Sequence, residues 1–164
     1  MTYVAPVFDP QLDLVFERVV DVPPALVWRA WTEPAQLVRW FTPAPWKTVD
    51  CVIDLRPGGR FFTVMESPEG AKHPNEGCYL AVETERALVW TDTLTAGFRP
   101  SPTDAHLSFR FTAHVRFEPH ERGTKYTAHV AHSSPADRSK HEAMGFYEGW
   151  GAALDQLVAL VKQR

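Results

Sequence analysis

Two polar residues, Asp92 and His132, stand at positions where the sequence pattern predicts the buried side of a β-sheet. Asp92 continues an alternating apolar series with Trp90, and His132 continues one with Val130. Alternate strand residues share a face, so both side chains should point inward. A polar group on an apolar wall needs a partner, a water molecule or a ligand. Two roles are open for Asp92 and His132. At the strand ends their side chains either reach solvent or cap a helix. Otherwise they orient a ligand or form an acid/base pair.

The other histidines show no catalytic or metal-binding pattern. No HExxH motif, no paired histidines on a buried face and no CxxC motif occur. We therefore expect no metal and no cofactor. The strand pattern turns three of these residues toward solvent, two lie in turn-like stretches, and one lies at the surface near the start of the last helix: His106, His114, His129, His73, His120 and His141.

Nucleophilic and phosphate-binding chemistry finds little support in the sequence. There is no GxSxG motif, no GxGxxG motif and no Walker pattern, and the pair Gly58-Gly59 is typical of a hairpin turn. Cys51 and Cys78 lack a nearby histidine in sequence, so we expect buried free thiols.

Composition predicts an ordinary globular protein with one domain over residues 1–164, of which residues 1–11 form an N-terminal extension. The chain has 45% hydrophobic and 23% charged residues and a net charge of −3. The lack of a basic excess argues against nucleic acid, and no apolar run is long enough to span a membrane. The N-terminus does not resemble a signal peptide, so we expect a cytoplasmic protein.

Hydrophobic periodicity predicts an α+β fold with an antiparallel sheet and helices gathered on one face. After the first strand come two short helices, then six strands with short connections, and then one long amphipathic helix. Strands are predicted at 12–20, 48–55, 60–66, 76–83, 87–94, 106–118 and 124–132, and helices at 24–31, 32–41 and 136–162.

Bulky inward-facing residues on these elements could line a cavity. Gly145, Gly149 and Gly151 inside the last helix indicate either close packing on the sheet or space left for a ligand. Arg18 has buried parity on the first strand, where a salt bridge or a stem that extends to solvent explains it best. The predicted wall consists of Phe41, Trp46, Phe61, Met65, Trp90, Asp92, Phe109, Phe111, His132, Met144, Tyr147 and Trp150.

Three segments resemble the START-like (SRPBCC) superfamily. They are FERVVDVPPALVWRAWTEPAQLVRWF (16–41), DLRPGGRFFTVM (54–65) and GFYEGWGAALDQLVALV (145–161). Within it, they look like the branch named for the activator of the ninety-kilodalton heat-shock protein ATPase, and specifically its C-terminal domain. The resemblance covers nearly the whole chain.

The resemblance implies a helix-grip (START-like, Bet v-like) fold, in which a seven-stranded antiparallel sheet wraps around a long C-terminal helix. Its strand order would place Asp92 and His132 about 10 Å apart, two strand spacings, at one end of the sheet. The superfamily's apolar cavity implies a partner that is a hydrophobic small molecule, such as a lipid or a polyketide-like compound.

Two alternatives remain open, because a fold shared by binding proteins and enzymes does not decide between them. One is a cyclase- or hydrolase-like enzyme using Asp92 and His132. The other is a chaperone ATPase-activator-like interaction module that uses the outer sheet surface. The oligomeric state is open as well, since an edge strand could support a homodimer.

Overall fold

A seven-stranded antiparallel sheet forms the body of the computed structural model, which describes residues 3–102 and 109–163. The strand order is β1-β9-β8-β5-β4-β3-β2, and a separate short pair, β6 and β7, lies in the connection after β5. The predicted α+β fold is confirmed. The strands are β1 (Asp13–Val20), β2 (Lys47–Ile53), β3 (Arg60–Glu66), β4 (Lys72–Glu83), β5 (Ala87–Thr91), β6 (Leu94–Thr95), β7 (Arg99–Pro100), β8 (Phe111–His120) and β9 (Gly123–His132).

Four helices complete the described part of the chain. They are α1 (Pro24–Thr32), α2 (Pro34–Leu37), α3 (Pro135–Ala143) and α4 (Phe146–Lys162). The first three each begin with proline, whose missing N–H costs nothing in the first turn of a helix. Within residues 3–102 and 109–163, none of the helices has the length and apolar character needed to cross a membrane.

The predicted helix over 136–162 is wrong at one point, because the structure divides it into α3 and α4. Gly145 lies between them with a φ of 91°, in the left-handed region that favours glycine, and it is the N-cap of α4. Ser134 caps α3 by accepting a hydrogen bond from the Asp137 amide at 3.2 Å. The break changes the direction of the chain, so residues of α3 do not continue the apolar stripe of α4.

The core lies between one face of the sheet and helices α1 and α4. Trp28 of α1 packs edge-on against Phe117 of β8, with ring centroids 5.6 Å apart. Arg18 of β1 forms a 2.7 Å ion pair with Asp155 of α4, in agreement with the predicted salt bridge. The first contact holds α1 on the sheet and the second holds α4 on it, and both position the cavity described below.

The N-terminal segment covers part of the sheet face that points away from the helices. The Tyr3 hydroxyl lies 3.1 Å from His114 Nδ1, and the ring of Phe8 packs 5.9 Å from that of His129. His129 Nε2 also bonds to Asp13 at 2.8 Å. His114 is therefore half-buried and His129 buried, so the predicted solvent exposure of both is wrong. Strand parity correctly gives their face, but it cannot reveal what covers that face.

Candidate functional site

A cavity of about 910 Å³ lies between the sheet and α4. Its wall includes residues of α1, β3, β5, β8 and α4, and exposed residues such as Met144 lie at its rim. Such a volume is in the range that drug-sized ligands occupy. The aromatic part of the wall consists of Trp31, Trp40, Phe41, Phe61, Trp90, Phe109, Phe111, Phe146 and Trp150.

Edge-to-face contacts fix the orientation of these aromatic rings. Trp90 meets Phe61 at a centroid distance of 5.1 Å and an angle of 77°, and it meets Phe111 at 5.5 Å and 66°. Phe41 packs on Phe61 at 5.7 Å. Each ring therefore has an aromatic neighbour that holds it in place, and the cavity wall is preformed without a ligand.

Most residues predicted for the cavity do lie on its wall, and three do not. Trp46 instead packs on His73, with ring centroids 5.4 Å apart, and it is 38% exposed. Tyr147 is 41% exposed on the outer side of α4. His132 is buried behind Phe109 and Phe111. The residues on the wall are Phe41, Phe61, Met65, Trp90, Asp92, Phe109, Phe111, Met144 and Trp150.

Asp92 borders the cavity at the end of β5. Its Oδ1 atom accepts a hydrogen bond from the Phe111 amide at 3.0 Å, and burial raises the pKa of the carboxyl group. Phe111 is paired in turn with His132 across β8 and β9. Asp92 and His132 therefore lie two strand spacings apart at one end of the sheet, about 10 Å, with Phe111 between them.

His132 makes two hydrogen bonds that explain its burial. Its Nδ1 atom lies 2.9 Å from the backbone carbonyl of Leu12, and its Nε2 atom lies 2.8 Å from Nδ1 of His141. Each ring nitrogen therefore has a protein partner. The inward parity of His132 is as predicted, but its partner is a second histidine rather than the cavity.

His141 is the residue that borders the cavity in its place, and the predicted surface position is wrong. Its ring packs against Phe109 at 4.7 Å, Phe111 at 5.0 Å and Phe146 at 5.2 Å. Burial, followed by the nearby His132, lowers its pKa to about 4. The sequence carries no periodic signal for this placement, because the break at Gly145 puts α3 out of phase with the stripe of α4.

The described part of the cavity rim carries three arginines together with the carboxylates of Glu76 and Asp92. Arg60 pairs with Glu76, with Nη2 at 2.5 Å from Oε1, and Arg110 donates to the carbonyls of Asp92 and Pro102. Arg99 borders the same opening and is exposed. Two of the three guanidinium groups therefore hold the rim together, and the charge of Arg60 is balanced by that of Glu76.

The two glycines within α4 differ in role: one permits close packing on the sheet, and the other leaves space at the cavity. A Cβ atom added at Gly151 would lie 2.9 Å from Nη2 of Arg18, so this glycine permits close packing. A Cβ added at Gly149, which borders the cavity, would meet no atom within 4 Å. Gly149 therefore leaves space, and Gly151 brings α4 close to β1.

Metal and thiol chemistry gain no support from the described residues. Within residues 3–102 and 109–163, no group of three or more His, Cys, Asp or Glu side chains could hold a metal ion. Cys78 is fully buried, and burial together with the Asp50 charge raises the pKa of Cys51 to about 11. A thiol with so high a pKa is a poor nucleophile at neutral pH. His106 lies outside the described residues.

Comparison with known proteins identifies the family. The chain is similar to a protein from Nitrosomonas europaea, with 47% identity, a TM-score of 0.90 and coverage of 95% of this chain and 97% of that one. A protein from Mycobacterium smegmatis has 27% identity and a TM-score of 0.74 over 97% and 99% of the two chains. An AHSA1-like protein from Aeromonas hydrophila shares the fold, with 22% identity, a TM-score of 0.65 and 92% coverage of both chains.

No match was found among curated proteins. The family described as "Activator of Hsp90 ATPase homolog 1-like protein" matches residues 21–162, which include the elements from α1 to α4. The family match therefore includes every described residue of the cavity wall and both histidines, His132 and His141. The chain belongs to the AHSA1-like family of the START-like (SRPBCC) superfamily.

Proposed function

We propose that this protein binds a single hydrophobic small molecule, of a lipid or polyketide-like class, in the cavity between the sheet and α4. The observation that carries the proposal is the wall itself, in which nine aromatic side chains of the described residues line a cavity of about 910 Å³. Removing apolar surface from water favours binding by roughly 25 cal/mol per Å². A molecule that buries its apolar surface here therefore gains most of its affinity without polar contacts.

Gly149 supports the proposal from the side of the helix. Glycine inside a helix costs about 1 kcal/mol relative to alanine. Nothing in the packing requires that cost at Gly149, because an added Cβ would meet open space. The open space beside Gly149 is part of the cavity, and this supports a ligand on this side of α4.

The experiment is a pair of substitutions at one position. Gly149→Trp should fill the cavity from α4, whereas Gly149→Ala adds one methyl group and serves as the control. We expect wild type and Gly149→Ala to bind the neutral fluorescent probe N-phenyl-1-naphthylamine with micromolar affinity, and Gly149→Trp to lose binding at least tenfold. Equal binding by all three variants, or none by wild type, would contradict the proposal.

Native mass spectrometry of the freshly purified protein then addresses the natural ligand. A stoichiometric apolar molecule, extracted and identified, would establish its chemical class. If only the mass of the ligand-free chain is observed, this result would favour a transient substrate or a protein partner.

An enzyme acting on a hydrophobic substrate is the second candidate. It is favoured by the placement of Asp92 and His141 on one cavity, where burial raises the pKa of the carboxyl group and lowers that of the imidazole to about 4. Two such groups could exchange a proton through a bound substrate. A turnover assay on the extracted ligand should then show a pH–rate profile that Asp92→Asn alters, whereas a binding protein shows no turnover.

A further inference from the structure

The hydrogen bonds of the two histidines fix the orientation of their protons. The Leu12 carbonyl can only accept, so Nδ1 of His132 must donate to it at 2.9 Å. In a neutral imidazole the other nitrogen then carries a lone pair. Nε2 of the neutral His132 ring therefore accepts a hydrogen bond from the Nδ1–H group of His141 at 2.8 Å.

This chain of hydrogen bonds ends at the cavity. Because Nδ1 of neutral His141 carries the proton, its Nε2 atom carries a lone pair. His141 borders the cavity, and within the described residues its Nε2 atom forms no hydrogen bond. Burial opposes protonation of this ring and keeps it a hydrogen-bond acceptor at neutral pH.

The charges around the cavity narrow the ligand class further. The described lining carries charges of both signs, since Arg60, Arg99 and Arg110 lie on it together with Glu76 and Asp92. A cation near the guanidinium groups is repelled by them. An anion would meet the Asp92 carboxylate and the lone pair of His141. An uncharged molecule that offers a hydrogen-bond donor avoids both penalties, and the aromatic wall favours a flat ring as its body.

We propose that the ligand is an uncharged hydroxylated aromatic molecule whose O–H group donates to Nε2 of His141, with His132 as the positioning residue that fixes the His141 tautomer. This inference rests on the proposed function and adds the polar contact that gives it selectivity. The polar contact with the ligand is then made by His141, and not by the Asp92–His132 pair that the sequence predicts.

The binding experiment compares two probes that share the naphthalene ring and an oxygen at the same position, which carries a proton in one probe and a methyl group in the other. 2-Naphthol presents a hydroxyl group, and in 2-methoxynaphthalene the same oxygen has no proton. At pH 7.5 we expect wild type to bind 2-naphthol about tenfold more tightly, since one hydrogen bond to an otherwise unpaired acceptor has this effect. Equal affinities would overturn this inference and leave the proposed function standing, whereas no binding of either probe would overturn both.

A substitution at His141 then tests which residue receives the hydroxyl group. His141→Phe keeps an aromatic ring against Phe109 and Phe146 but removes both nitrogens. We expect it to bind the two probes equally, while His73→Phe, at an exposed histidine outside the cavity, keeps the tenfold preference. A preference that survives in His141→Phe but is lost in Asp92→Asn would assign the hydroxyl group to Asp92 and overturn the inference.

The positioning role of His132 has a readout of its own. Ring ¹⁵N NMR of the wild-type protein should show the His141 proton on Nδ1, and no variant is needed for this measurement. In His132→Phe the partner of that proton is lost, so we expect the His141 proton to redistribute toward Nε2 and the preference for 2-naphthol to fall. A proton on Nε2 of His141 in wild type would overturn the proposal.

Discussion

His132 and His141 lie nine residues apart in the chain, and their Nε2 and Nδ1 atoms are 2.8 Å apart. Because His132 also bonds to the Leu12 carbonyl, the pair links the start of β1, the end of β9 and helix α3. Arg138 of α3 adds a second link, donating to the Asp13 carbonyl at 3.1 Å. Helix α3 is thus held at one end of the cavity by polar contacts, although its residues are at most half-buried.

The two half-buried histidines, His114 and His141, predict a loss of stability at mildly acid pH. Burial is the main cause that lowers the pKa of each to about 4. In the unfolded chain an ordinary histidine has a pKa of about 6.5. Between about pH 6.5 and pH 4 the unfolded state therefore binds more protons, and the free energy of unfolding should fall as the pH falls. Urea unfolding at a series of pH values measures this slope.

Single substitutions show how much each residue contributes to the pH dependence of the free energy of unfolding. His141→Phe should flatten the slope by about one proton's contribution, whereas His73→Gln, at an exposed histidine, should leave it unchanged. Asp92 acts with the opposite sign in the lower part of the window, because burial raises its pKa. A slope in His141→Phe equal to that of wild type would show that His141 is not buried as described.

The two tryptophans Trp31 and Trp90 both border the cavity but differ at the indole nitrogen. Nε1 of Trp31 donates to the Tyr126 hydroxyl at 3.1 Å, whereas buried Nε1 of Trp90 has no acceptor among the described residues. Trp31→Phe leaves the Tyr126 hydroxyl unpaired, and Trp90→Phe removes an unpaired donor. We expect Trp31→Phe to destabilise the protein by about 1–3 kcal/mol more than Trp90→Phe in urea unfolding. Equal costs would mean that Trp90 has a partner in solution.

The sequence predicts the sheet well because alternation of apolar residues is a local signal with a physical cause. The face of Asp92 and the face of His132 follow from it directly. The placement of His141 does not, because it depends on one backbone angle at Gly145 and on the contact between α3 and β9. The burial of His129 also depends on a distant segment, the N-terminal residues that cover the outer face.

The buried pair of Asp13 and His129 should contribute measurably to stability. Their side chains are 8% and 4% exposed and lie 2.8 Å apart. Asp13→Ala leaves the His129 ring buried without this partner, which costs about 1–3 kcal/mol. Glu17→Ala is the matched control on the same strand, because Glu17 and Lys125 form an exposed pair at 3.6 Å that is worth at most about 1 kcal/mol. Equal effects of the two substitutions in urea unfolding would contradict the assignment.

Gly59 in the hairpin before β3 should not tolerate a side chain. An added Cβ would lie 1.9 Å from the Asp54 carbonyl oxygen, a backbone atom that cannot move aside alone. We expect Gly59→Ala to cost several kcal/mol or to prevent folding. Gly70→Ala is the control, since Gly70 has a φ of 90° but open space around it, and its cost should be about 1 kcal/mol. Comparison of soluble yield and melting temperature distinguishes the two.

Gly149 and Gly151 make opposite predictions for the same substitution in one helix. Alanine at Gly149 meets open space, so the protein should gain about 1 kcal/mol from helix propensity alone. Alanine at Gly151 meets Nη2 of Arg18 at 2.9 Å and must displace that flexible side chain from its ion pair with Asp155. This displacement offsets the gain in helix propensity. Gly151→Ala should therefore have a lower free energy of unfolding than Gly149→Ala. A larger gain at Gly151 would show that α4 does not pack against β1 through this glycine.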